Sequence, residues 1–342
     1  MRLFFARAAC CSLLALASLS LPFPNTLAAP ARAAGTEVVW ELANEYPATA
    51  IPGQADSFFA AEVARETAGA VVIRPVPDAK SGLRSREQLK AVSEGRIAMA
   101  DSFGGGLGDD SPVFLLSSLP FVTASPDQAR RLYEMARPFY EALFAARGQK
   151  LLFITPWPPS GIWSTVPVNS LSALKGLKMR TYDSTGTELF ARLCSAASVV
   201  SYADLTPKLE SGAINAVLSS GDGGAGRQLW KYLPHFSEIV YAVPLSFGTV
   251  SLTAWNALDA PMQAAVLKAG AATTAHQWSA MTGRVDANFK RMRENGVTID
   301  VAPPAAVMTA MQDAAAKTLA DWRTAAGPEA TAILDQFLKE TR

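Results

Sequence analysis

The stretch Leu174-Lys175-Gly176-Leu177-Lys178-Met179-Arg180-Thr181-Tyr182-Asp183 decides how this chain is read. Leu177, Met179 and Thr181 alternate with Lys178, Arg180 and Tyr182, the period-two pattern of a half-buried strand. Thr185-Gly186-Thr187-Glu188 follows and fits a capping box, and Leu189, Phe190, Leu193, Cys194 and Ala197 then recur at helical spacing. A strand running straight into a helix is the unit of an α/β fold. In open α/β sheets ligands bind beyond the carboxyl ends of the strands. Arg180 stands at such an end, next to a helix start, where a guanidinium suits an anion such as a carboxylate. A surface arginine closing a strand fits the same pattern.

Outward from this stretch the chain shows one unit twice. A helix from Arg84 to Ser93 ends at Gly95, a strand runs from Ile97 to Ser102, and Phe103-Gly104-Gly105-Gly106 follows. Later, Asp204 caps a helix carrying Leu205 and Leu209, Gly212 ends it, a strand runs from Ile214 to Leu218, and Ser219-Ser220-Gly221-Asp222-Gly223-Gly224 follows. Glycine just past a helix end is the usual cap. Two such units predict two α/β lobes on related plans, each offering a glycine-rich loop at a strand end where backbone N–H groups can approach a ligand. Further strands are expected at Val38–Leu42 and Ala70–Val76, with a helix from Gly53 to Thr67. Ala257 to Asn295 reads as one long helix, without proline after Pro261. At 1.5 Å per residue it would cover roughly 50 Å and cross both lobes. Ala305 to Ala325 and Glu329 to Glu340 complete the helices, parted by Gly327-Pro328.

The beginning of the chain reads as an export signal: Arg2 and Arg7, an apolar run from Ala8 to about Phe23, then Ala31-Arg32-Ala33 as a small-x-small cleavage site. The run carries Ser12, Ser18 and Ser20 and is broken by Pro22 and Pro24, short of the roughly 20 apolar residues of a membrane span. Of the 31 basic residues, Arg2, Arg7 and Arg32 lie in this segment, so 28 remain against 30 acidic ones. That balance argues against a nucleic-acid binder. Cys10 and Cys11 also fall within it, leaving Cys194 alone on what reads as the apolar face of its helix, as a small core residue. The remaining length suits two domains. The expected division is 1–33 as signal, 34–160 with part of 247–285 as the first lobe, and 161–246 with part of 286–342 as the second.

At this point the residues carry a family likeness. Arg84-Ser85-Arg86-Glu87-Gln88-Leu89 leading to Val92-x-x-Gly95-x-Ile97-x-Met99-Ala100, together with Ser118-Leu119-Pro120-Phe121 and Leu174–Arg180, resembles the TRAP transporter solute-binding proteins of the DctP type. The resemblance implies a periplasmic binding protein with mixed sheets flanked by helices, two lobes and a long helix crossing them. It implies an organic acid as ligand and a sodium-driven integral membrane permease as partner, and it puts the family's arginine at Arg180, pairing with the substrate carboxylate. The chain departs from the common pattern twice. Trp157-Pro158-Pro159-Ser160-Gly161-Ile162-Trp163-Ser164 lacks a second arginine found in many members, and Ser219–Gly224 replaces an Asp-Gly-Gln-Glu-Asn type loop. Fewer cations and more aromatic surface favour a monocarboxylate with an apolar or aromatic body, such as a hydroxy or keto acid, over a dicarboxylate or sialic acid.

The expected ligand contacts, beside Arg180, are Trp163 (in the place of the missing arginine), Trp157, Ser102 and Phe103 in one glycine loop, and Ser219, Ser220 and Asp222 in the other. Glu45 and Tyr46 after the first strand and Phe247 on the return strand complete the set. Each also has a plain structural reading as hinge packing, turn chemistry or core. A hinge is expected near 159–164 and 244–249, closing on the ligand. No metal or cofactor is expected: His235 and His276 have no ligand partners at metal spacing. The glycines at 104–108 miss the dinucleotide fingerprint at Asp109, and no G-x-S-x-G elbow occurs. The expectation is a monomeric binding protein and not an enzyme. A receptor for another importer or for a sensor, and a secreted hydrolase or lyase, are the alternatives.

Overall fold

The computed structural model describes residues 37–341, so the expected signal segment, with Cys10 and Cys11, lies outside the described residues. The chain opens with β1 (Val38–Asn44), α1 (Ile51–Glu66), β2 (Val71–Val76), α2 (Ser85–Ser93), β3 (Met99–Phe103), α3 (Pro126–Ala145) and β4 (Gln149–Pro156). It crosses to β5 (Ser160–Ser164), α4 (Leu171–Lys175), β6 (Lys178–Thr181), α5 (Ser184–Arg192), β7 (Ala196–Val199), α6 (Leu205–Glu210), β8 (Ala216–Ser220), α7 (Gly221–Gly226) and β9 (His235–Ser237). It returns as β10 (Leu245–Ser251), α8 (Leu252–Asn256) and α9 (Ala260–Ala280), then ends in α10 (Arg284–Glu294), β11 (Thr298–Asp300) and α11 (Ala305–Thr341).

Two mixed sheets result, one in the order β2-β1-β3-β10-β4 and one in the order β11-β9-β5-β8-β6-β7. In each, a single strand runs against its neighbours, and it is the one reached from the other sheet by a short crossover without a helix: β10 between β3 and β4, and β5 between β8 and β9. The two crossovers lie side by side and are bonded to each other. Trp157 N donates to Pro244 O at 2.9 Å, Ser160 N to Ala242 O at 2.9 Å, and Tyr241 N to Ser160 O at 2.8 Å. These bonds pair the segments 157–160 and 241–244, which join the two sheets.

The repeated unit is present in both lobes. Gly95 (φ +70°) and Gly212 (φ +66°) both end their helices in the left-handed region that favours glycine. The first strand end leads into a 3₁₀ turn at Gly104–Leu107 and the second into α7. The strands themselves begin two residues later than their apolar runs suggest, at Met99 and Ala216.

Three local expectations are corrected. The expected helix from Ala257 to Asn295 is broken: α9 stops at Ala280, and Gly283, at φ +78°, turns the chain into α10. The α9 half packs on α1 and β4, the α10 half on α7. The expected capping box at Thr185 is replaced by Asp183, whose Oδ1 accepts from Gly186 N and Thr185 Oγ1, both at 2.9 Å. With α5 starting earlier it also ends earlier, at Arg192, so Cys194 lies beyond the helix, at φ +62°, and is exposed rather than in the core.

Candidate functional site: a buried guanidinium in an aromatic box

Arg180 lies on β6, between β7 and β8, and is 3% exposed. Of the alternating polar positions of this strand, Lys178 is exposed, but Arg180 and Tyr182 are buried. Arg180 and Tyr182 face the space between the sheets. The Arg180 Nε donates to Val200 O at 2.8 Å and Nη1 to Leu218 O at 3.1 Å. Both acceptors are neutral carbonyls, and among the described residues Arg180 makes no ion pair. Burial pulls its pKa below the ordinary arginine value, and the nearby Tyr46 and Glu45 pull it back. Arginine stays charged at any physiological pH, so the site holds a desolvated cation short of an anionic partner. Leaving such a charge unpaired is costly, and a ligand carboxylate removes that cost.

The guanidinium borders a cavity of ≈ 290 Å³ lined by Tyr46, Phe103, Trp157, Ser160, Tyr182, Tyr202, Ser219, Ser220 and Pro244. Five of these are aromatic and form a box drawn from both lobes. Ring centroids lie 4.6 Å apart for Tyr46–Trp157, 4.4 Å for Tyr46–Tyr202, 5.2 Å for Phe103–Tyr182 and 6.1 Å for Phe103–Trp157. Arg180 Cζ lies 6.0 Å from the Tyr182 ring centre. Burial raises the pKa of Tyr46, Tyr182 and Tyr202, so the phenols stay neutral. Tyr182 donates to Ser160 Oγ at 3.3 Å and Tyr202 to Gly223 O at 2.8 Å. Trp157 is fixed by its Nε1, which donates to Ser246 Oγ at 2.9 Å. An apolar box with one cation and a few hydroxyls suits a small monoanion whose body is flat or apolar.

A second chamber of ≈ 700 Å³ adjoins the first across Tyr46, Phe103, Arg180, Tyr182 and Tyr202, and is lined also by Glu45, Ser85, Arg86, Asp109 and Asp183. Behind Tyr46 the wall rests on a buried acidic pair. Tyr46 N donates to Asn44 Oδ1 at 2.8 Å, and Asn44 Nδ2 donates to Asp56 Oδ2 at 2.6 Å. Asp101 pairs with Asn44 across β1 and β3, and its carboxyl faces that of Asp56. Burial pushes Asp101 up to about 7. Burial and the Asp101 charge push Asp56 well above the usual carboxylate range.

Of the expected contacts, Arg180, Tyr46, Phe103, Trp157, Ser219 and Ser220 line the inner cavity, and Glu45 the outer chamber. Four lie elsewhere. Trp163 is fully buried behind the wall, its Nε1 donating to Ser220 O at 3.2 Å, its ring against Phe236 and so close to α7 that a Cβ on Gly224 would come within 2.1 Å of it. It points to the opposite face of β5 from Ser160, which reaches the cavity. Asp222 faces away from the cavity: Oδ2 accepts from Ile51 N at 2.8 Å and Oδ1 from Arg284 Nε at 2.6 Å. Ser102 donates to Gln88 Oε1 at 2.9 Å on the far side of β3, and Phe247 is core, packed on Phe114, Tyr140 and Phe144. The sequence reading missed Ser160, Tyr182, Tyr202 and Pro244 as lining residues. Tyr182 had a signal, since it shares Arg180's parity on the strand. Tyr202 had none, because it comes from a 3₁₀ turn (Tyr202–Asp204) that docks against the other lobe. Among the described residues no cluster of metal-ligating side chains occurs, and no helix is long and apolar enough to cross a membrane.

The two tryptophans give a direct check. Ligand binding is expected to change tryptophan emission through Trp157, so Trp157→Phe should remove most of the change and Trp163→Phe should leave it. The opposite pattern in a fluorescence titration would move the ligand to the other side of β5.

Residues 42–324 match the profile of DctP, the bacterial extracellular solute-binding protein family 7. A solute-binding protein of Chromohalobacter salexigens is 23% identical over 268 residues, 76% of this chain and 78% of that protein. Two crystal structures of Bordetella pertussis extracytoplasmic solute receptors binding pyroglutamic acid, DctP7 and DctP6, are similar throughout. They are 27% and 26% identical, each with a TM-score of 0.84, and cover 88% of this chain against 99% and 100% of theirs. A Chromohalobacter salexigens TRAP periplasmic solute-binding protein with bound D-glucuronate shares the fold at 20% identity and a TM-score of 0.78.

Proposed function

Since the chain belongs to the DctP family of bacterial extracellular solute-binding proteins, we propose that it captures a small monocarboxylic acid of the pyroglutamate class in the periplasm and delivers it to a sodium-driven TRAP permease. The observation that carries the ligand class is the buried Arg180, the one cation among the described residues lining the inner aromatic cavity. One guanidinium with a free edge takes one carboxylate. The crowding of five aromatic rings around the guanidinium favours a five-membered ring or a short chain over a hydrated sugar acid. The hydroxyls of Ser160, Ser219 and Ser220 can bond a ring N–H or an extra oxygen on the body of the acid. The Bordetella receptors similar to this chain support a compact cyclic acid.

Closure follows from differential affinity. The aromatic box draws walls from both lobes, so the acid makes its full set of contacts only when the lobes meet, and binding shifts the population toward the closed form. The closed form is what the permease receives. Calorimetry against a panel of acids tests the reading. L-Pyroglutamate or an acid of similar size should bind one to one, with D-glucuronate and D-galacturonate at least about a hundredfold weaker. Tight binding of a sugar acid, with no small acid bound, would overturn it.

A further inference from the structure

Glu45 follows β1 at the edge of the outer chamber, and its carboxylate is buried. Each of its oxygens is held by a main-chain N–H from a different lobe. Oε2 accepts from Ser85 N at 2.9 Å, in the first turn of α2, and Oε1 accepts from Ala203 N at 2.9 Å, in the turn ahead of α6. α2 and α6 are the equivalent helices of the repeated unit, so one carboxylate ties matching helix starts together. Two ion pairs flank it across the same gap, Arg84–Asp204 at 2.7 Å and Arg227–Asp78 at 2.9 Å. Both are partly exposed, and such pairs contribute little. Bonds from N–H groups to a buried carboxylate are the stronger kind.

We propose that Glu45 is a positioning residue that clasps the closed form and thereby sets how long a captured acid is held. It moves with the first lobe, because β1 and α2 belong to the same sheet layer. Its bond to Ser85 survives opening and its bond to Ala203 does not. With both oxygens occupied, Glu45 also leaves the Arg180 guanidinium to the ligand, while its charge stands near enough to favour the cation. Glutamine cannot replace it: the amide has one accepting oxygen, and its NH₂ would meet the second N–H donor to donor. Aspartate keeps the charge and lacks the reach to bond both N–H groups.

The test has two arms, and only the second rests on the ligand reading above. In the first, spin labels at Lys90→Cys and Lys208→Cys, in a Cys194→Ser background, report the distance between α2 and α6 with no ligand added. Glu45→Gln and Glu45→Asp should each broaden the distribution toward longer distances. In the second, stopped-flow dissociation of L-pyroglutamate should be at least about tenfold faster in both variants, with association within about twofold. Should Glu45→Gln not fold, Glu45→Asp decides. Unchanged distances, or unchanged dissociation from a folded variant, overturn the clasp. If L-pyroglutamate binds neither parent nor variant, the distances alone decide the clasp and only the ligand reading falls.

Discussion

Replacing Arg180 with alanine is expected to weaken L-pyroglutamate binding by about 10²–10³-fold and to leave the ligand-free protein at least as stable as the parent. The affinity loss follows from removing one side of a buried charged pair, which costs roughly 2–5 kcal/mol. The stability gain follows from the other side of the same balance. Arg180 is desolvated, bonded only to Val200 O and Leu218 O, and without a carboxylate of its own. Without a ligand, that arrangement opposes folding, and the substitution removes it. Arg180→Lys should fall between parent and alanine variant in affinity, because an ammonium keeps the charge but not the planar fork that meets two carbonyls and a carboxylate at once. Calorimetry and melting temperature measured together separate the roles. A large drop in melting temperature for Arg180→Ala would make the residue a structural cation and sink the carboxylate assignment.

Between about pH 4 and pH 7 the ligand-free protein is expected to lose thermal stability, as the unfolded chain ionises and the buried Asp101 does not. Its folded pKa of about 7 lies above its unfolded value, which is near 3.8. A carboxyl raised in this way supports the fold fully below the unfolded value and loses that support as pH rises through the folded one. A fall of several degrees in melting temperature across that range is expected. Asp183, raised to about 6 by burial, acts in the same direction over a lower range. Asp101→Asn should flatten the profile between about pH 4 and pH 7 while keeping a polar partner for Asp56. A variant profile parallel to the parent's would show that the Asp56–Asp101 pair does not share a proton. The pair lies behind Asn44 and Tyr46, so its ionisation also loosens one wall of the cavity, and ligand affinity should decline as pH rises through about 7.

Much of the cavity's chemistry was legible because strand ends carry it. Arg180 is marked by its parity on a short strand, and Ser219 and Ser220 by the glycines that follow them. The limit of that reasoning is shown by β5. Trp163 and Ser160 belong to one short strand, and sequence cannot say which face meets the cavity and which meets α7. The larger residue was expected at the ligand. Packing chose the opposite, because Gly224 leaves a slot that only a bare backbone can provide and the indole fills it. Asp222 shows the same limit. An acid in a glycine loop reads as a ligand contact, yet Arg284, more than sixty residues away in the chain, takes its carboxylate.

The sequence by itself determined the repeated helix–glycine–strand unit, the α/β class and the cation at the end of β6, since these follow from local periodicity and from backbone angles that glycine favours. Only the tertiary structure decided which aromatic rings enclose that cation and which acids hold the lobes together. Those outcomes depend on two sheets meeting across a gap, with Tyr202 and Ala203 brought against Tyr46 and Glu45 from some 158 residues away, and no local pattern encodes a contact of that range.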